Sequence, residues 1–201
     1  MIIAGLALLV MVALPPLLMA RAKKTRIGCV NNLKNIGLAV RIFAPAKYRY
    51  PWTLPAAESG TLEFATNPAA LWRHFAALSN ELSHPKHFIC PSDRERRAAA
   101  SWTEFTNNHF VSYALGFSAT EETPQSILAA DRNLRLGGAA LTNVILSFPS
   151  NALVTFDRRL HNEAGNLLMG DGSVQQVPSR NLSKLFREAY QAAGTNVLAF
   201  P

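Results

Sequence analysis

The sequence predicts an α+β fold in which one long N-terminal helix packs on a small antiparallel sheet. The first observation is that residues 1–20 contain no charged side chain. The second is that apolar residues recur at helical spacing from there to residue 44. The third is a series of short strand-like runs in the C-terminal half. Strands that follow helices along a chain are typical of an α+β domain with an antiparallel sheet.

The N-terminal run, residues 1–20, predicts the transmembrane half of this helix. About 20 apolar residues in a helix cover a hydrocarbon core about 30 Å thick. A basic cluster follows at once, at Arg21, Lys23, Lys24 and Arg26. A cleaved signal peptide and a buried core helix are the two alternatives. No Lys or Arg precedes the run, which disfavours a signal peptide, and the run is long for a core helix.

Residues 21–44 predict the amphipathic half of the same helix. Apolar residues recur at three- and four-residue steps, the spacing of one helix face: Ile27, Val30, Leu33, Ile36, Gly37, Val40, Phe43 and Ala44. Pro45 ends the pattern. The apolar stripe needs a partner, and the expected partner is the remainder of the chain, residues 45–201, folded as one extracytoplasmic α+β domain.

This domain is expected to contain one internal helix, a run of short strands and a closing helix. The internal helix begins after Asn67, with Pro68 in its first position, and includes LWRHFAALSNEL. The closing helix runs from Ser179 to Gly194. The strand candidates are short apolar runs, several of them rich in β-branched or aromatic residues: 87–90, 111–117, 126–131, 152–157, 166–170 and 173–177.

The chain is basic. Its 201 residues carry a formal net charge of +7, which suits acidic partners such as anionic lipid, nucleic acid or polysaccharide. The arginines are scattered in small groups, and a solvated surface is the simpler explanation for each group. Nucleic-acid binding would be favoured if one face of the structure held the following arginines: Arg94, Arg96, Arg97, Arg158 and Arg159.

Cys29 and Cys90 are the only cysteines. In an oxidising compartment they could form a disulfide bond, whereas in a reducing one they would stay as thiols. Sequence alone leaves both outcomes equally open, because the geometry of the pair is not visible in it. No CxxC motif and no Cys/His cluster is present in the sequence, so no zinc site is predicted.

Three local patterns together resemble prepilin-like proteins, related to type II secretion pseudopilins, of planctomycetes and verrucomicrobia. They are the stretch CVNNLKNIGLA at 29–39, the tetrapeptide CPSD at 90–93, and His161 followed after nine residues by Asp171-Gly172. The resemblance implies a pilin-like fold, a single pass through the inner membrane, and a globular domain in the periplasm or outside the cell. It also implies assembly with other pilin-like subunits through the N-terminal helix, and no enzymatic activity.

The chain departs from the prepilin pattern at its N-terminus. A prepilin carries a basic leader ending in Gly, then Phe, and a Glu five residues into the mature chain, and none of these follows Met1. Either a leader is missing from the sequence, or the chain is an anchored relative that no longer polymerises. The charge pattern also conflicts with the resemblance, because the positive-inside rule would place the basic cluster after residue 20 in the cytoplasm.

His161 and the Asp171-Gly172 turn form the candidate structural motif. One interpretation is a metal or ligand site completed by Asp131 or Asp157. The other is structural, with Asp-Gly forming a hairpin turn and His161 hydrogen-bonding a neighbouring loop. We favour the structural interpretation, because turn chemistry explains Asp171 and Gly172 without a ligand.

No catalytic residue, metal or cofactor is predicted. A hydrolase site built from Ser112 or Ser173 with His161 would lack a nucleophile-elbow motif. The expected function is a membrane-anchored, pilin-like structural subunit of a type II secretion or type IV pilus-like assembly. Its expected partners are membrane lipid and other pilin-like subunits, with nucleic acid a weaker candidate. The alternative is an anchored extracytoplasmic protein that binds nucleic acid or polysaccharide and does not polymerise.

Overall fold

The computed structural model describes the backbone of residues 2–44 and 49–201, and the side chains of residues 23–44 and 49–201. Within these ranges the α-helices are α1 (Ile2–Phe43), α2 (Leu71–Ala76) and α3 (Ser179–Ala193). The strands are β1 (Tyr113–Gly116), β2 (Ile127–Asp131), β3 (Leu134–Leu136), β4 (Ala139–Ala140), β5 (Val144–Ser147), β6 (Val154–Phe156), β7 (Ala164–Met169), β8 (Val174–Pro178) and β9 (Val197–Phe200). Short 3-10 helices lie between them, at Pro51–Thr53, Ala56–Glu58, Leu62–Phe64, Pro68–Ala70, Pro85–Phe88 and Asn108–Phe110.

Two antiparallel sheets organise the domain. The first has six strands in the order β5-β9-β1-β2-β7-β8, and the second has three in the order β4-β3-β6. Strands β2 and β7 are buried along their whole length. One face of the first sheet packs in a hydrophobic cluster with α1, and the other packs in a second cluster with α3 and the smaller sheet. The first sheet is therefore the middle layer of the domain.

The described part of α1 packs one face against the domain. The buried residues on this inner face are Cys29, Leu33, Ile36, Ala39, Val40 and Ala44. Gly37 permits a close approach to the sheet, because a Cβ atom at this position would lie 2.9 Å from Leu168 Cδ1. Ile27, which the sequence places in the apolar stripe, is instead 47% exposed. The buried face therefore contains most of the predicted stripe but not its first residue, Ile27.

The predicted fold class, a pilin-like α+β fold with a spine helix on a small antiparallel sheet, is wrong. The described residues form a sheet-rich domain with nine strands in two sheets. The sequence pattern missed β3, β4, β5 and β9. Strand β4 has only two residues, and β9 is buried at three of its four positions, so neither shows the alternation that marks a half-exposed strand.

The predicted membrane anchor is also corrected. No helix in the part of the chain that the structure describes is both long and apolar enough to cross a membrane. Between residues 23 and 43, α1 carries five Lys and Arg side chains, which a bilayer core would exclude. The single-pass inner-membrane location and the periplasmic or extracellular placement of the domain therefore lose their support. The side chains of residues 1–20, from which the span was predicted, lie outside the described ones.

Individual elements of the C-terminal half agree better with the sequence. Strands β1, β2, β6, β7 and β8 and helix α3 are confirmed, and Gly194 ends α3 with φ = 70°. The predicted strand at 87–90 is wrong, because its first two residues belong to a 3-10 helix at Pro85–Phe88 and its last two are irregular. The internal helix is shorter than predicted: α2 ends at Ala76.

The Asp171-Gly172 turn connects β7 and β8, as the sequence predicts. Asp171 Oδ1 accepts a hydrogen bond of 2.8 Å from the Ser173 backbone N–H. Hydrogen bonding from Ser173 also lowers the pKa of Asp171. Gly172 has φ = 82°, a region that L-residues with a branched Cβ rarely adopt. The turn therefore needs glycine for its backbone conformation.

We predict that Leu33→Ala destabilises the protein by about 2–5 kcal/mol, since it removes a fully buried side chain from the core. Leu38→Ala is the matched control on the same helix. Leu38 is 59% exposed, and its truncation should change the free energy of unfolding by less than about 0.5 kcal/mol. Urea denaturation of both variants measures the difference. Equal effects would contradict the described orientation of α1.

We also predict that Gly172→Val lowers the free energy of unfolding by about 1–3 kcal/mol, the cost of holding a β-branched residue in the left-handed region. Gly172→Asn should cost less, because asparagine tolerates that region better. Thermal denaturation of the two variants, compared with the wild type, tests the prediction. A valine variant as stable as the asparagine variant would show that positive φ is not what the turn requires.

Candidate functional site

The main polar cluster lies where α1 meets the loop at 90–93 and the loop before β7. Cys29 and Cys90 are fully buried and joined by a disulfide bond, with a Cα–Cα distance of 4.9 Å. The Nε2 atom of His161 lies 3.4 Å from Cys90 Sγ. Among the described residues, these three side chains are the one group of His, Cys, Asp or Glu that is close enough to hold a metal ion.

Asp131 and Asn166 extend the cluster behind His161. Asp131 Oδ2 lies 3.3 Å from His161 Nε2, and it accepts hydrogen bonds from the backbone N–H and the side-chain Nδ2 of Asn166. Asp131 is fully buried, and its other oxygen, Oδ1, has no hydrogen-bond partner among the described residues. Burial and the nearby Asp131 raise the pKa of Tyr113, which faces Asp131 in the β1–β2 pairing.

The structure separates the two parts of the predicted His/Asp-Gly motif. His161 precedes β7 and contacts the cluster just described, whereas Asp171 and Gly172 follow β7. At that end, the Asp171 carbonyl accepts a hydrogen bond from Arg41 Nη1. Sequence reasoning missed the association of His161 with both cysteines, because the three positions are far apart in the chain. That these are the only cysteines was the one available signal.

The CPSD tetrapeptide has a structural role of its own. Asp93 receives two hydrogen bonds from Arg132, of 2.6 and 2.8 Å, and one from Ser112 Oγ at 2.8 Å. Burial raises the pKa of Asp93, but the bonds from Arg132 and Ser112 outweigh burial and hold it below its usual value. Ser112 is fully buried and committed to Asp93, so it is not placed as a nucleophile for His161.

Four of the five arginines in the predicted nucleic-acid patch are bonded within the protein. Arg96 donates to the carbonyls of Asn108, Val111 and Pro201. Three others pair with carboxylates: Arg97 with Glu104, Arg158 with Glu163, and Arg159 with Asp157 and Glu95. The fifth, Arg94, is exposed. Surface guanidinium groups that are already paired contribute little to phosphate binding, so this observation weakens the nucleic-acid interpretation.

A cavity of about 860 Å³ lies at the C-terminal end of α1. Arg41, Tyr50, Phe117 and Glu121 are among its lining residues. Burial and Glu121 raise the pKa of Tyr50 to about 12. Arg41 pairs with Glu121 at 3.0 Å, so the opposite charges on the wall neutralise each other. The lining therefore favours no class of charged ligand.

No family model, no curated protein and no solved structure matches this chain. The resemblance to prepilin-like proteins therefore stays a prediction from the sequence motifs. The expected roles as a pseudopilin and in type II secretion gain no support from these comparisons. Since the fold differs from the pilin-like expectation, those roles are corrected together with it.

His74 is a buried histidine beside the cavity wall. It is 1% exposed, its Nδ1 atom lies 2.7 Å from Thr61 Oγ1, and its ring packs edge-on against Phe117. Burial lowers the pKa of His74 from 6.5 to about 4. The folded protein therefore holds this imidazole neutral at pH values where the unfolded chain would protonate it.

We predict that His74 makes the protein less stable as the pH falls from about 6.5 to about 4, because the unfolded state then binds the proton first. A pKa lowered to about 4 corresponds to about 3 kcal/mol over that interval. His74→Gln should remove this part of the pH dependence, and His109→Gln, at an exposed position, should not. Urea denaturation at several pH values within this interval measures the free energy of unfolding of each protein. Parallel pH profiles for all three proteins would contradict the prediction.

Proposed function

We propose that this chain is a non-catalytic structural subunit that assembles with an acidic partner subunit through the outward face of α1. The outward face consists of exposed residues of the helix that lie opposite its buried inner face: Lys23, Lys24, Ile27, Asn31, Lys34, Leu38 and Ile42. The observation that carries the proposal is the presence of three exposed large apolar side chains on this one face.

The three apolar side chains lie on one side of the helix, with the exposed Asn31 and Lys34 between Ile27 and Leu38. Ile27, Leu38 and Ile42 are 47%, 59% and 52% exposed. At about 100° per residue, all three point within about 60° of one another, over about 22 Å of helix. Large apolar residues grouped on one helix face are typical of a protein–protein contact, whereas single exposed ones need no explanation. The same helix begins at Ile2, and its residues 2–20 include no Asp, Glu, Lys or Arg.

The charge of the helix indicates the kind of partner. Helix α1 contains no Asp or Glu, and Lys23, Lys24 and Lys34 are exposed around the apolar side chains. Two such faces from copies of this chain would repel each other, as would the net charge of +7 on each copy. A complementary partner helix would carry apolar residues to contact those of α1, with carboxylates beside them to pair with the lysines. The expected partner is therefore a different subunit.

The alternative function, a binding protein for nucleic acid or polysaccharide, has weaker support. It would rely on the arginines of the predicted patch, and four of those five are paired with carboxylates or with backbone carbonyls. An enzymatic role has no supporting arrangement among the described residues, since Ser112 donates to Asp93 rather than to His161.

We predict that a photo-crosslinking amino acid in place of Leu38, introduced in cells that produce the full chain, cross-links to an amphipathic helix of another protein. The same amino acid in place of Leu153 is the control, because Leu153 is 72% exposed and lies outside α1. Sequencing of the cross-linked peptide identifies the partner, and a peptide with Asp or Glu beside its apolar residues supports the proposal.

Two other outcomes would overturn it. A cross-linked peptide from this same chain would show self-association and contradict the argument from charge. A cross-linking yield at position 38 no higher than at position 153 would show that the outward face has no partner.

A further inference from the structure

We infer that the reduced form of the cysteine cluster is a Zn²⁺ site, with Cys29, Cys90 and His161 as ligands and Asp131 as the adjacent carboxylate, and that disulfide formation closes it. This site is independent of the proposed assembly through α1. The two cysteines and His161 have their ligand atoms within 4.8 Å of one another. Two thiolates and an imidazole are ligands that zinc accepts in tetrahedral sites, where water can take the fourth position.

The distances around His161 Nε2 already suit a tetrahedral ion. With Zn–S near 2.3 Å and Zn–N near 2.05 Å, the sulfur and nitrogen ligands of one tetrahedron lie about 3.6 Å apart. The distance from Nε2 to Cys90 Sγ is 3.4 Å. One sulfur–nitrogen edge of the coordination polyhedron is therefore present before any ion binds. Asp131 Oδ2 lies 3.3 Å from Nε2, which places its negative charge beside a bound ion.

The Asp131 carboxylate supplies an independent reason for a cation. It is fully buried, and one of its oxygens, Oδ1, has no hydrogen-bond partner among the described residues. The basic group found within salt-bridge distance of it is His161, which carries a charge only when protonated. A buried carboxylate without a permanent cation is costly. A bound divalent ion would compensate both the carboxylate and the thiolates.

The residues around the ligands resemble an outer coordination shell. Asn166 holds Asp131 Oδ2 through its backbone N–H at 2.7 Å and its side-chain Nδ2 at 2.8 Å. Outer-shell carboxylates that are themselves held by hydrogen bonds in this way orient and tune the ligands of metal sites.

Oxidation and metal binding exclude each other in this site. A dithiol reductant converts the Cys29–Cys90 disulfide into two thiols and is itself oxidised to a disulfide. Zinc then displaces one proton from each thiol, and both protons pass to solvent. Re-oxidation by a disulfide oxidant forms the Cys29–Cys90 S–S bond, converts the oxidant into two thiolates, which take up protons from solvent, and releases the zinc ion. The sulfurs also move, because two thiolates on one zinc ion lie about 3.8 Å apart.

The test uses the full chain, unfolded and refolded with a phosphine reductant, which cleaves the disulfide with water and forms a phosphine oxide. Co²⁺ is added first, because thiolate ligation gives a charge-transfer band and tetrahedral geometry gives intense visible bands. Zn²⁺ is then titrated as a competitor to obtain the affinity. The expected result is one equivalent of bound metal on the reduced chain and none on the disulfide form.

Variants distinguish ligands from bystanders. His161→Ala should lower the affinity at least about 100-fold and Asp131→Asn about 10–100-fold. His109→Ala, at an exposed position away from the cluster, should leave the affinity unchanged. Circular dichroism with and without Zn²⁺ accompanies each titration. A reduced chain that unfolds without metal and refolds with one equivalent of Zn²⁺ would support the site, because binding and folding are then coupled.

Three results would overturn the inference. The first is a reduced chain, folded or unfolded, that shows no thiolate-to-cobalt band. The second is equal affinity for the disulfide form, which would place the metal elsewhere. The third is a His161→Ala variant that binds Zn²⁺ as tightly as the His109→Ala control.

Discussion

The packing of α1 on the domain is the interaction on which the rest of the structure depends. The inner face of the helix contacts the domain at successive levels along its length. Cys29 is bonded to Cys90, and Asn32 donates to the Ile89 carbonyl at 2.7 Å. Further along, Gly37 lies against Leu168 of β7, and Arg41 reaches the turn after β7. The helix thereby fixes the loop at 89–93 relative to the β7–β8 hairpin, which no strand pairing does on its own.

Two consecutive residues at the end of β2 organise the buried charges. Side chains alternate along an extended chain, and Asp131 lies beside His161 while Arg132 pairs with Asp93. Arg132 and Asp93 satisfy each other, so that pair is complete in the folded protein. Asp131 has only a titratable histidine, and one of its oxygens is left without a partner. Of these two buried carboxylates, the one with incomplete hydrogen bonding is therefore that of Asp131.

Much of the local structure could be predicted from the sequence, and the spatial cluster could not. The Asp171-Gly172 turn and the end of α3 at Gly194 follow from backbone preferences that a few residues determine. The fold class depends on strands such as β4 and β9, which are too short or too buried to show alternation. The association of Cys29 with Cys90 and His161 depends on contacts between distant segments. Hydrophobic spacing identifies Leu33 and Val40 as buried, but it does not place Cys29 on the same face.

The position of Cys29 connects the proposed metal site to the proposed assembly surface. It lies on the inner face of α1, two residues from Ile27 on the outward face, so these two residues point in nearly opposite directions from the helix axis. Whatever joins Cys29 to Cys90 therefore also orients the outward face relative to the sheets. A disulfide bond does so directly, and an ion shared by the two thiolates would do so through two metal–sulfur bonds. Loss of both would leave the helix tied to this segment by side-chain contacts such as those of Asn32 with the Ile89 carbonyl and of Asn35 with His87.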